Sequence, residues 1–408
     1  MTSFPEPQSD QPHPDQRSRR QLLKQLGRQV AVLGTAATAI GLSGCTVTEV
    51  RRSLNTGQSL YKGQVKEAIR AEVSQQIPLT GVPAMDGLVK KQLAAFMDEL
   101  FKQWGEKHIA SPKEYVKYTD QYRSRALIDF NSGKIRVETL EAKHSKTALK
   151  NAIVSTLLTP EDPSQVDLFS AKPIAAGKTP FLHDLVHDQD GKAVRYVWRA
   201  KRFADYLIRT RYRTYEQKGH TRHAVDFAMT QNHQITQQQR YHSSVVRQAR
   251  RFKIEPALIY GIIETESAFN PYAVSSAPAY GLMQIVPKTA GRDVHRLLYK
   301  RDGMPSKQTL FQAERNIEYG TAYLSILFNR YLVGIHNARS REYCVIAAYN
   351  TGAGNVLKAF DTNRTRALEK INRLNSQQVY QHLRTRLTYA EARRYLLKVT
   401  TNKRNYLT

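Results

Sequence analysis

From Gly57 to about His108, apolar residues recur at three- and four-residue steps, among them Leu88, Leu93, Phe96, Met97, Leu100 and Phe101. That spacing predicts helix. The period then falls to two. Ala126–Phe130 and Ile135–Leu140 flank Asn131-Ser132-Gly133-Lys134, which reads as a hairpin turn. Val194, Tyr196 and Trp198 alternate with polar residues after Asp188-Gln189-Asp190-Gly191, predicting a further strand, and β-rich sequence is expected to run to Met229. A polar, glutamine-rich stretch at Gln231–Gln239 is the candidate domain boundary. Past it the pattern is helical almost throughout, with helices expected near 240–251, 256–268, 313–332, 342–350 and 388–399. Gly352 and Gly354 sit where a helix C-terminus is expected. The fold class is therefore an α+β N-terminal domain, 45–238, followed by a mainly α domain, 239–408.

One position breaks the helical pattern in a chemically useful way. In the helix opening at Pro256, a favoured first-turn residue, Leu258, Ile259, Ile262 and Ile263 form an apolar stripe. Glu266 falls in the middle of that stripe, whereas Glu264 is expected to face solvent. A carboxyl held against apolar surface keeps its proton to higher pH, as a general acid requires. Asn270-Pro271 must end the helix soon after, placing Glu266 at an edge where a cleft can open. A buried glutamate paired with one of the many arginines fits this geometry equally well.

The first 44 residues read as an address. Ser18-Arg19-Arg20-Gln21-Leu22-Leu23-Lys24 precedes an uncharged stretch, Val30 to Leu42, too short to span a bilayer comfortably. Leu42-Ser43-Gly44-Cys45 resembles the lipobox of bacterial lipoproteins, which implies lipidation of Cys45 and a signal peptide over 1–44. The paired arginines also resemble a twin-arginine export signal. Thr46 after that cysteine, by resemblance to other lipoproteins, favours the periplasmic face of the outer membrane. An amphipathic anchor with a chance cysteine is the bland alternative.

Composition narrows the partners. The 62 Lys and Arg against 35 Asp and Glu give a formal charge of +27, and losing residues 1–44 removes a net +2 and leaves +25. Such a field favours polyanions: nucleic acid, anionic lipid or an acidic cell wall. No nucleic-acid-reading module is recognisable and the export signal weighs against that partner. The basic runs Arg247–Lys253 and Arg384–Arg394 read as exposed helix faces that could also meet acidic peptide stems. With two cysteines, Cys45 and Cys344, there is no disulfide framework, and Cys344 reads as a buried thiol. His183 and His187 have the four-residue spacing of helix-borne metal ligands, but Pro180 and an Asp-rich turn surround them and no third ligand follows, so they read as a solvated loop. No metal and no cofactor is implied.

Four ordered motifs carry a resemblance: Glu266-Ser267-Ala268-Phe269-Asn270-Pro271, Gly281-Leu282-Met283-Gln284, Ala348-Tyr349-Asn350-Thr351-Gly352-Ala353-Gly354, and Tyr389-Ala390-Glu391-Ala392-Arg393-Arg394-Tyr395. In this order they resemble the lytic murein transglycosylases with a goose-type lysozyme-like domain, over about Arg240–Tyr406. The N-terminal half, including Tyr115–Leu140, more loosely resembles the accessory domain of a membrane-bound member. The resemblance implies cleavage of peptidoglycan glycan strands between N-acetylmuramic acid and N-acetylglucosamine, with formation of 1,6-anhydromuramic ends. Glu266 would act as acid and then base, Ser267 and Tyr349 would orient its carboxyl, Met283, Gln284 and Asn350 would meet substrate, and Tyr395 would close the site. Two departures stand out. Pro278-Ala279-Tyr280 replaces the family's usual Gly-Ala, and Glu391-Ala392-Arg393 its usual Glu-Thr-Arg. A muramidase that uses water and a non-catalytic wall-binding lipoprotein remain open, though the acid nearest after Glu266 is Asp293, 27 residues on.

Overall fold

The computed structural model describes residues 83–275 and 279–407, with side chains from 91 onward. The expected signal peptide, Cys45, the helical pattern before Pro83 and Pro278 lie outside the described residues. Among the described residues no helix is long and apolar enough to cross a membrane.

The predicted N-terminal helix is α1 (Pro83–Trp104). Leu93, Phe96, Met97 and Leu100 are buried, whereas Phe101 turns outward under the Lys107 ammonium. A five-stranded antiparallel sheet follows, ordered β1-β2-β3-β5-β4, from β1 (Glu114–Thr119), β2 (Ser124–Asp129), β3 (Lys134–Thr139), β4 (Tyr212–Gln217) and β5 (His220–Ala228). The β2–β3 turn falls where the sequence puts it. Gly133 supplies a φ of +70°, and the Asp129 carboxylate accepts from the Asn131 and Ser132 amides. Helices α2 (Ser145–Leu157) and α3 (Val197–Arg211) pack on one another, α2 against β2, β3 and β5 and α3 against β4 and β5.

The strand expected at Val194–Trp198 is not formed. Only Val194 is buried; Tyr196, Val197 and Trp198 are exposed at the start of α3. The alternation mimicked a strand, but Asp188 instead caps the turn by accepting from the Asp190 and Lys192 amides and pairs with Arg199 of the helix.

The C-terminal half is helical: α4 (His233–Phe252), α5 (Pro256–Ser267), α6 (Arg292–Tyr299), α7 (Lys307–Phe311), α8 (Ala313–Ile326), α9 (Ala338–Thr351), α10 (Ala353–Lys358), α11 (Arg364–Arg373), α12 (Ser376–Arg386) and α13 (Ala390–Arg404). Helix α4 begins inside the glutamine-rich stretch and runs through it. Gly352 caps α9 with φ +85°, while Gly354 lies inside α10 rather than at a helix end. At the centre is α5, whose Leu258, Ile259, Ile262 and Ile263 are fully buried; each such side chain contributes about 1.5–3 kcal/mol. Helix α13 crosses it so closely that a methyl group on Gly261 would sit 2.9 Å from the Lys403 backbone nitrogen.

Residues from the two halves interlock. Asn270 donates to the Pro112 carbonyl at 3.1 Å, and Arg240 donates to the carbonyls of Phe181 and His183. Tyr115, Phe181 and Tyr272 form an aromatic cluster, with the Tyr272 hydroxyl donated to the Pro160 carbonyl. Tyr272→Phe keeps the ring and orphans that buried carbonyl. It is expected to cost about 1 kcal/mol, read as a fall of about 2–4 °C in Tm by thermal denaturation.

Candidate active site

Helix α5 ends in two left-handed residues, Ala268 (φ +49°) and Phe269 (φ +63°), which turn the chain away immediately after Glu266. Glu266 is partly buried, on the last helical turn as expected. Burial pushes its carboxyl up from the ordinary 4.5 to about 7, and the exposed Glu391 nearby adds to the rise. Two groups oppose this. The Tyr395 hydroxyl donates to Glu266 Oε1 at 2.8 Å, and the Lys113 ammonium favours the ionised form. Glu264 departs from expectation: it is partly buried against Tyr406 rather than solvated, because the C-terminal helix covers that face of α5.

Tyr395 is supplied by α13 and is itself buried, so burial and the neighbouring Glu266 carboxylate hold its phenol proton well above its usual range. It is therefore a standing donor to the carboxylate. Tyr395→Phe removes a bond that favours the charged form, so the Glu266 pKa is expected to rise above about 7. In a pH–rate profile the alkaline limb should move to higher pH, with the plateau rate falling about tenfold as the carboxyl loses its anchor.

The Gly281–Gln284 segment faces this helix end and is tied down from three elements. From α5, Ser267 donates to the Leu282 carbonyl at 2.8 Å. From α9, Tyr349 donates to the Met283 carbonyl at 2.9 Å. From α8, Asn316 accepts from the Met283 amide at 2.8 Å and donates to the carbonyls of Tyr280 and Leu310, each at 2.7 Å. Two glycines permit the approach. A methyl group on Gly281, whose φ is +72°, would meet Asn316 at 2.4 Å, and one on Gly320 would meet the Met283 sulfur at 2.2 Å.

These bonds revise several expected contacts. Ser267 is fully buried and its hydroxyl bonds the Ile263 and Leu282 carbonyls, so it holds the loop rather than the carboxyl or a ligand. Tyr349 likewise bonds the loop; burial, with the nearby Glu266 charge adding to it, raises its own pKa. The Met283 side chain is wholly buried against Gly320. Gln284, in the left-handed region at φ +48°, uses its amide nitrogen on the Ala273 and Gly281 carbonyls, while its buried Oε1 has no partner. Asn350 is partly exposed at the end of α9, its amide unengaged among the described residues. Tyr280, at the departure from the family pattern, is buried edge-on against Phe311.

Asn316, Gly320 and Lys113 were missed in the sequence. The first two had a signal, an asparagine and a glycine four apart on one helical face between buried apolar residues. Lys113 had none, since its importance comes from the docking of distant segments. Elsewhere, His183 pairs with Asp184, and the described residues contain no group of three His, Cys, Asp or Glu able to hold a metal ion. Cys344 is buried, and burial raises its thiol pKa.

Comparison with known proteins agrees along the chain. The family described as the N-terminal domain of membrane-bound lytic murein transglycosylase C matches residues 82–240, and the transglycosylase SLT domain matches residues 243–372. Membrane-bound lytic murein transglycosylase C of Yersinia pestis (strain Pestoides F) is 44% identical over 317 residues, covering 77% of this chain and 88% of its own. The protein of the same name from Yersinia pseudotuberculosis (strain IP 31758) matches with the same identity and coverage. Among solved structures, the 70 kDa soluble lytic transglycosylase of Escherichia coli aligns with a TM-score of 0.32 and 26% identity, over 41% of this chain and 24% of that one. An inactive mutant of lytic transglycosylase Slt from Pseudomonas aeruginosa gives 0.30 and 25% over the same shares. The present chain thus spans about a quarter of those two solved chains. On the identity and coverage of its curated relatives, the chain belongs to the membrane-bound lytic murein transglycosylase C family.

Proposed function

We propose that this protein is a lytic transglycosylase that cuts peptidoglycan glycan strands between N-acetylmuramic acid and N-acetylglucosamine, with Glu266 as the acid and then the base. The observation that carries this reading is a single carboxyl, partly buried, with its pKa near 7 and a tyrosine hydroxyl on one oxygen. Such a group is substantially protonated at neutral pH, yet becomes a competent base once it has given up its proton.

The steps balance without water. Glu266 gives its proton to the glycosidic oxygen as the bond from muramoyl C1 to that oxygen breaks, and N-acetylglucosamine leaves as an alcohol. The resulting carboxylate takes the proton of the muramoyl C6 hydroxyl while that oxygen bonds C1, closing the 1,6-anhydro ring and restoring the acid. Tyr395 steadies the carboxylate between the steps. Ser267, Tyr349 and Asn316 hold the Gly281–Gln284 wall of the site, Gln284 braces that wall from within, and Asn350 presents its amide to the sugars. The α+β half, 45–238, serves as the accessory domain and 239–408 as the catalytic one. Lipidated Cys45 anchors the chain to the periplasmic face of the outer membrane, and the exported part's +25 charge assists that anchoring.

Glu391 gives a water-using muramidase its strongest footing, as an exposed carboxylate near enough to Glu266 to raise its pKa. Cleavage in ¹⁸O-labelled water separates the two. The released muramoyl ends are expected to carry no label and still to form, within a few-fold of the wild-type rate, in Glu391→Gln. Labelled reducing ends, lost in Glu391→Gln, would make the enzyme a hydrolase with two carboxylates.

A further inference from the structure

Lys113 comes from the α+β half, in the turn that enters β1, yet it lies near enough to Glu264 and Glu266 to feel both carboxylates. It is held there from both sides. Asn270, just past the end of α5, donates to the carbonyl of Pro112, and Tyr272 packs edge-on against Tyr115 with ring centroids 5.1 Å apart. The turn's own backbone is pinned as well, since the Phe130 amide donates to the Lys113 carbonyl and the Ser111 and Glu114 backbones bond each other. The Lys113 side chain is partly buried and makes no hydrogen bond or ion pair with any described residue.

An unpaired, partly buried ammonium is costly. Burial lowers its pKa and Lys398 of α13 lowers it further, while Glu264, Glu266 and Asp129 favour the charge without any of them closing on it. Other partly or fully buried lysines in this strongly basic chain have what Lys113 lacks: Lys117 donates to the carbonyls of Asp167 and Ser170, and Lys403 pairs with Glu255 and Glu342.

We propose that Lys113 is a binding residue of the cleft, contributed by the accessory half, and that its partner is a carboxylate of the peptide stem carried by the glycan strand. This rests on the substrate class inferred above, and it gives the interlock of the two halves a role in recognition. A stem carboxylate entering beside Glu266 would also satisfy the ammonium, and Lys113 would lie on the substrate side of the site.

Binding tests it independently of turnover. Fluorescently labelled glycan oligomers with intact stems would be titrated with the Glu266→Gln protein, with and without Lys113→Met, by anisotropy. A parallel set would use oligomers whose carboxylates are converted to methylamides. The expected result is about tenfold weaker binding of the untreated strands when Lys113 is replaced, no difference on the amidated strands, and most of the affinity restored in Lys113→Arg. Equal loss on both strand types would mark Lys113 as structural and overturn the proposal, as would no loss on either. If wild-type protein failed to cleave the untreated strands while this binding pattern held, the catalytic reading alone would fall.

Discussion

Glu266→Gln is expected to abolish glycan cleavage, by at least about a thousandfold, while making the protein more stable at neutral and alkaline pH. The two effects have one cause. Folding moves this carboxyl from the ordinary 4.5 to about 7, so above pH 4.5 the unfolded chain sheds a proton that the folded chain retains. Stability therefore falls as pH rises from about 4.5 to 7, and the loss is complete above that. Allowing for the partial exposure of Glu266, it amounts to about 2 kcal/mol. Glutamine fills nearly the same volume and never ionises. Denaturation midpoints should coincide for the two proteins near pH 4, and the mutant should be the more stable by several degrees at pH 8. A mutant less stable at pH 8 would mean that Glu266 is a well-paired structural carboxylate.

Asn316→Ala is expected to be the most damaging change away from the acid. The amide sits in α8 with no exposed surface, and all three of its hydrogen bonds hold the 280–284 wall or the end of α7. Alanine strips the Met283 amide and the Leu310 carbonyl of these partners in a dry interior and leaves the Tyr280 carbonyl only the Ile285 amide. The expected cost is about 3–5 kcal/mol, measurable by denaturant unfolding. Any protein that still folds should lose about a hundredfold in kcat, because the wall facing Glu266 can then drift by an ångström. Asn316→Asp tests the geometry further, since it keeps the acceptor for Met283 and removes the donors. Near-normal stability in Asn316→Ala would show that the loop is held well enough by Ser267 and Tyr349.

What could be read in the sequence was what depends on local periodicity. The stripe of Leu258, Ile259, Ile262 and Ile263 put Glu266 against apolar surface, and α5 realises that. Asn131-Ser132-Gly133-Lys134 encoded its hairpin through one glycine and one aspartate. Local pattern failed where partners come from afar. Tyr196 and Trp198 alternate like a strand, but the Asp188 turn and its pairing with Arg199 fix a helix start there. Arg125 and Arg222 are charged residues buried in the sheet layer, held by Glu106, Glu138 and the Trp104 ring; their two arginines keep the Glu106 carboxyl down at about 2. No periodicity announces such a cluster. The same holds for the true partners of Ser267 and Tyr349, which are loop carbonyls 15 and 66 residues away along the chain.

The central claim is that one carboxyl, Glu266, cuts the strand without consuming water. The most direct test is the mass of the new muramoyl ends released from purified peptidoglycan by wild type and by Glu266→Gln. The account predicts ends lighter by one water than reducing ends from wild type, and no release by the mutant. Reducing ends from wild type, or anhydro ends still formed by Glu266→Gln, would contradict it.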